Sequence, residues 1–152
     1  MFPPNHTAGR RRVLLVDDDL ALRRVLRRVL AKAGFEVVEA PNGKVAWELA
    51  QQSAFDLVVT DVDMPVMGGL ELLRRLTTKQ PELPVVLMSG SFDIFAAGSA
   101  AMLGACHFLR KPFLVSDLQR CALHAVSDWN RNNVRHAEIR PVDHTALGKH
   151  YA

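Results

Sequence analysis

The stretch VLLVDDD, residues 13–19, decides how the rest of the chain is read. Four consecutive apolar residues without alternation suit a strand buried on both faces, and three carboxylates stand at its exit. Four further runs repeat the theme: FEVVEA (35–40), FDLVVT (55–60), LPVVLMS (83–89) and CHFLR (106–110). A stretch of helix length separates each from the next. The pattern is a strand followed by a helix, five times.

In LALRRVLRRVLAKAG, residues 20–34, Leu22, Val25, Leu26, Val29 and Leu30 recur at helical spacing with Arg23, Arg24, Arg27 and Arg28 opposite. Those leucines and valines are expected to face inward, the arginines outward, with Gly34 ending the helix. Asp19 is expected to cap its start. A second helix is expected from Asn42 to Gln52 and a third from Gly69 to Thr78, before Pro81. The last opens at Ser116, which with Gln119 has capping-box spacing, and runs through Leu118, Ala122, Ala125 and Trp129, the tryptophan closing the core edge. Short strands joined by such helices predict an α/β fold: a five-stranded parallel sheet, doubly wound, with right-handed crossovers and helices on both faces. Ligands in open sheets of this kind bind beyond the carboxyl ends of the strands.

A length of 152 residues suits one domain of ~100–150 residues with some terminal excess. Residues 12–130 are read as the domain, 1–11 as a flexible basic segment, and 131–152 as a tail, helical at most at its start. The net charge of +3 belongs to the ends: residues 13–130 carry 12 Lys/Arg against 14 Asp/Glu. Nucleic acid is therefore a poor candidate partner. Cys106 and Cys121 lack metal-ligand spacing and read as buried thiols, as in a reducing compartment. His136, His144 and His150 also lack it. No apolar leader follows Met1, so the cytoplasm is the expected location and no membrane partner is expected.

The residues at the strand ends carry the chemistry. Asp17, Asp18 and Asp19 follow the first strand, Asp61 the third, Ser89 the fourth and Lys111 the fifth. Two carboxylates ~4–5 Å apart at an effective dielectric of ~20 repel by roughly 3–4 kcal/mol, so gathering Asp17, Asp18 and Asp61 needs a compensating cation. A proton, a metal or Lys111 could supply it. An all-oxygen set facing solvent suits a hard ion such as Mg²⁺.

At this point the sequence resembles the receiver domains of two-component response regulators, over about residues 12–130. The resemblance rests on VLLVDDD, on DLVVTDVDMPVMGGLELL (56–73), on PVVLMSG (84–90) and on FLRKPF (108–113), in that order and spacing. It implies strand order 2-1-3-4-5. It also implies that Asp61 accepts a phosphoryl group from a sensor histidine kinase or histidine phosphotransferase. Asp17 and Asp18 would then hold Mg²⁺ with Asp61, Asp63 would lend its backbone carbonyl, and Lys111 would pair with the phosphoryl oxygens. Ser89 would hydrogen-bond the new phosphate, with Phe108 as the aromatic switch residue. The change would reach a downstream protein target through the face of the fourth helix, fifth strand and fifth helix. Such a protein is a switch that promotes its own modification, not a turnover enzyme.

Ile94 to Leu109 holds sixteen residues without Lys, Arg, Asp or Glu. A helix there with an apolar outer face, Ile94, Phe95 and Met102 included, would dock a partner or a second copy of the chain. An alternative function is a phosphohydrolase of the haloacid dehalogenase type, with Asp61 as nucleophile and Asp63 as acid. Such an enzyme would carry its D-x-D on the first strand and a further acidic motif downstream. The 22 residues after Asn130 leave no room for a DNA-binding output domain, so the chain is expected to be a stand-alone receiver or a piece of a longer protein.

Overall fold

The computed structural model describes residues 9–90, 98, 104–105 and 107–132, the last five by their backbone alone. Ile94, Phe95 and Met102, the helix expected to carry them, Ser91, Cys106, the Trp129 side chain and the tail beyond residue 132 lie outside the described residues. The strands are β1 (Arg12–Val16), β2 (Glu36–Ala40), β3 (Leu57–Asp61), β4 (Val85–Ser89) and β5 (His107–Arg110). The described helices are α1 (Leu20–Lys32), α2 (Gly43–Gln52), α3 (Gly69–Lys79) and the C-terminal helix, labelled α4 here (Val115–Asn132).

The five strands form one sheet in the order β2-β1-β3-β4-β5, every pair parallel. β1, β3 and β4 are interior strands, and their apolar runs are buried on both faces, as an all-parallel sheet requires. Alternation divides each run. Val13, Leu15, Val59, Val86, Met88 and Leu109 point to the side covered by α1 and α4, where Leu26, Leu30, Phe113 and Leu118 close over them. Leu14, Val16, Val58, Leu87 and Phe108 point to the side where Leu72, Leu73 and Leu76 of α3 pack with Ala46 and Ala50 of α2. Each fully buried Leu or Phe here contributes roughly 1.5–3 kcal/mol.

The helix ends follow local chemistry. Asp19 caps α1, its Oδ1 accepting the Leu22 N–H at 3.1 Å. Asn42 caps α2, its Oδ1 accepting the Val45 N–H at 3.0 Å. Gly34, at φ 100°, takes the left-handed step that ends α1.

Three expectations are corrected. Val25 is 45% exposed, because the buried stripe of α1 is narrower than the sequence pattern and runs through Leu26, Val29 and Leu30. Arg23, expected outside, has a side chain only 13% exposed and reaches back over β2 to Glu39. The C-terminal helix begins at Val115, so Ser116 lies inside it. Its reciprocal cap comes from Asp117, whose Oδ2 accepts the Leu114 N–H at 3.1 Å, and Gln119 instead donates to the Val29 carbonyl of α1 at 3.0 Å.

Candidate functional site

In the register of β1 and β3, Val16 stands opposite Thr60, so the next residues, Asp17 and Asp61, emerge side by side at the carboxyl edge of the sheet. Alternation sends both toward the side of Leu15 and Val59. Leu109 shares that side, and Lys111 two residues further on comes to the same place. Its Nζ lies 3.3 Å from Asp17 Oδ2 and 3.4 Å from Asp61 Oδ1. Asp18 joins from the turn after β1. One carboxylate oxygen each from Asp17, Asp18 and Asp61 lies within 4.8 Å of the others, with Asp17 and Asp61 buried and Asp18 exposed.

The turn after β1 is tied down in several places. The Asp17 N–H donates to the Ala40 carbonyl at 3.2 Å, and Asp17 Oδ1 accepts the Asp19 N–H at 2.9 Å. Arg23 Nη1 donates to the Asp17 carbonyl at 2.7 Å while its Nε donates to Glu39 Oε1 at 3.1 Å. Arg27 holds the other Glu39 oxygen at 2.8 Å. Sequence reasoning missed Arg23 as a positioning residue. Glu39, an acid inside the run FEVVEA, was the available signal, since an acid in a half-buried strand calls for a cation.

The loop after β3 is held equally closely. Asp61 Oδ1 accepts the Val62 N–H at 3.0 Å, and the Gly69 N–H donates to the Val62 carbonyl at 2.9 Å. A Cβ at position 69 would collide with the Asp61 carbonyl, so only glycine lets α3 start this close to β3. Gly43, at the start of α2, donates its N–H to the Met67 carbonyl at 3.0 Å and has no room for a Cβ either.

Burial pushes the Asp61 carboxyl up to about 6; Lys111 opposes the rise and the Asp17 charge adds to it. Lys111 therefore outweighs the repulsion from Asp17 but not the cost of burying the charge. A further cation at the open side of the cluster would be attracted by Asp17, Asp18 and Asp61 together. The donor set is all oxygen, with one ligand exposed, which fits a hard divalent ion that keeps some of its waters.

Ser89 ends β4 and is buried, and its carbonyl accepts the Lys111 backbone N–H at 2.7 Å, tying that strand end to the backbone of the residue that carries the ammonium group. Phe108 is buried on the side of α2 and α3, packed in the cluster that contains Leu87. The Asp63 side chain is exposed and stands apart from the converging carboxylates. A haloacid dehalogenase pair would need it beside Asp61, so the hydrolase alternative is not favoured. Cys121 is a buried free thiol whose pKa burial pushes up to about 11, as expected of an inert core cysteine. Among the described residues, no helix is long and apolar enough to cross a membrane.

Comparison with known proteins gives one answer. The response regulator receiver domain family matches residues 13–122. The chain is 39% identical over 106 residues to the DNA-binding transcriptional regulator NtrC of Bradyrhizobium sp., covering 70% of this chain and 22% of that protein. It thus spans about a quarter of the length of the NtrC relatives it matches. The response regulator receiver protein CpdR of Brucella abortus is 37% identical over 108 residues, which cover 71% of this chain and 90% of that one. A CheY-like receiver domain protein of Methanospirillum hungatei shares the fold at TM-score 0.77 with 24% identity, covering 80% of this chain and 98% of that one. The response regulator TrrA of Thermotoga maritima, solved in complex with Mg(2+)-BeF, aligns at TM-score 0.70 with 26% identity, covering 76% and 98%. With the sheet order and the acidic cluster already in place, these matches show that the chain belongs to the response regulator receiver domain family of signalling switches.

Proposed function

We propose that the chain is a cytoplasmic switch controlled by phosphorylation of Asp61. The observation that supports this most directly is the convergence of Asp17, Asp18 and Asp61 with Lys111 bridging two of them. The donor is a phosphohistidine on a sensor histidine kinase or histidine phosphotransferase. The P–N bond to imidazole breaks, an O–P bond forms to a carboxylate oxygen of Asp61, and the leaving imidazole takes up a proton. Such transfer needs little beyond alignment and stabilisation of charge on the equatorial oxygens. Lys111 supplies a fixed positive charge at Asp61, and the hydrogen bond from the Val62 N–H orients the attacking carboxylate.

Asp17, Asp18 and Asp61 with the Asp63 carbonyl would hold Mg²⁺, which when bound neutralises the carboxylates and the incoming phosphoryl group. The TrrA complex with Mg(2+)-BeF supports this choice of ion. An acyl phosphate carries about −1.5 to −2 charge, and new acceptor oxygens at the strand ends favour states with the Ser89 hydroxyl drawn toward them. Phe108, on β5 and buried toward α2 and α3, is the side chain positioned to register that movement. The population shift then reaches a downstream protein through the β5 and α4 face. Incubation with acetyl phosphate and Mg²⁺ followed by intact mass should show one added phosphoryl group on the wild type and none on Asp61→Asn. Equal labelling of both would end the proposal.

A further inference from the structure

Among the described residues, the buried polar or charged ones are Asp17, Thr60, Asp61, Ser89 and Asp117. Asp17, Asp61 and Ser89 stand at the site and Asp117 caps α4, which leaves Thr60 to be accounted for. Thr60 is fully buried on β3, between Val16 of β1 and Leu87 of β4 in the register. Alternation points it with Val58 toward α2 and α3, on the face of the sheet opposite to the Asp61 carboxylate. A hydroxyl in such an apolar layer costs free energy unless it finds a partner, and valine would fill the same space and suit a strand as well.

The partner that Thr60 finds is the backbone of the next residue. Its Oγ1 donates to the Asp61 carbonyl at 2.9 Å. At the other end of the same peptide, the Val62 N–H donates to Asp61 Oδ1 at 3.0 Å and to the Met88 carbonyl at 2.9 Å. A peptide group is planar and turns as one body. This one is held at its oxygen by Thr60, and at its nitrogen by β4 and by the carboxylate. Turning the plane would carry the Val62 N–H away from Oδ1, the oxygen that also lies 3.4 Å from Lys111.

We infer that Thr60 is a positioning residue for phosphoryl transfer to Asp61. From the opposite face of the sheet its hydroxyl fixes the Asp61–Val62 peptide plane, and through the Val62 N–H that plane holds the carboxylate in its attacking orientation. This rests on the function proposed above, and the test separates the two. Thr60→Val removes the hydroxyl and keeps the volume; Thr60→Ser keeps the hydroxyl. The probe is acetyl phosphate with Mg²⁺ over a range of concentrations, with labelling followed by intact mass. A second readout, the amide proton of Val62 in ¹⁵N-labelled metal-free protein, reports the hydrogen bond without any transfer.

Thr60→Val should lower the maximal labelling rate roughly five- to tenfold while the half-saturating donor concentration stays within about twofold, the mark of lost orientation rather than lost binding. Thr60→Ser should recover the wild-type rate to within about twofold, and the Val62 amide proton should move upfield in Thr60→Val only. A wild-type maximal rate in Thr60→Val would overturn the inference. So would an equal loss in Thr60→Val and Thr60→Ser, which marks a packing defect, or an unmoved Val62 amide. If Thr60→Val does not fold, Thr60→Ala against Thr60→Ser gives the same comparison. Failure of acetyl phosphate to label the wild type would instead bring down the acceptor role of Asp61, and this inference with it.

Discussion

Arg23 Nη1 lies 2.7 Å from the carbonyl oxygen of Asp17, so the first turn of α1 braces the backbone of a residue whose carboxylate faces Lys111. The same guanidinium donates to Glu39 on the edge strand β2. Arg23→Ala should cost about 1–2 kcal/mol, the order expected for partly exposed hydrogen bonds from a charged donor. Arg23→Lys should recover less than half of that, because one ammonium group cannot span both acceptors as a planar fork does. Urea unfolding of the three proteins measures it, and equal midpoints would show that the brace is idle.

The position of Asp61 sets a pH dependence. In the unfolded chain the group titrates near 3.8, and in the folded chain burial, opposed by Lys111 and reinforced by Asp17, moves it up to about 6. The folded state therefore holds the extra proton between those values. For this group, stability of the metal-free protein rises as pH falls from 7 through 6 and levels off below about 4. Asp61→Asn should flatten that part of the profile and stabilise the metal-free protein at pH 7 by roughly 1–3 kcal/mol. Parallel pH profiles for the two proteins, recorded with a chelator present, would contradict it.

Removing the ammonium group acts in the opposite direction. Lys111→Met leaves Asp17 and Asp61 facing each other without the cation now 3.3 and 3.4 Å away. The Asp61 titration, followed by carboxyl carbon NMR, should then move above its wild-type midpoint. Labelling by acetyl phosphate should slow by roughly tenfold or more, since fixed charge on a transferring group contributes on that scale. An unmoved midpoint would mean that Lys111 does not control the charge of the pocket.

Gly69 tests the packing that positions Asp61. Gly69→Ala drives a methyl group into the Asp61 carbonyl and should destabilise the protein by about 2–4 kcal/mol, although alanine is the better helix former. Gly90→Ala, where an added Cβ meets open space, should change stability by less than about 1 kcal/mol. Thermal unfolding of both variants makes the comparison.

Much of this was legible before any coordinates. Buried parallel strands need uninterrupted apolar runs, so VLLV, LVV and PVVLM announced themselves, and helix ends need specific side chains, so Asp19, Asn42 and Gly34 marked their positions. The acidic site was legible because strand ends collect at one edge of such a sheet. Side-chain destinations at the margins were less so. A helical repeat gives a face without fixing its width, which is why Val25 fell outside the buried stripe. A long side chain can bury its stem and still place its charge, which is why Arg23 turned inward. Two caps competed at the last helix, and Asp117, with a carboxylate at the right distance from the Leu114 N–H, prevailed over the Ser116 and Gln119 spacing.

The central claim, that Asp61 is the atom-bearing acceptor, is open to direct chemical test. Protein labelled with acetyl phosphate and Mg²⁺ is reduced with borohydride, which converts an aspartyl phosphate to homoserine, and the peptides are then sequenced by mass. Homoserine at position 61 alone is the predicted result. Homoserine at Asp18 or Asp63 with Asp61 unchanged, or a phosphoryl group that survives reduction on a serine or histidine, would contradict the account.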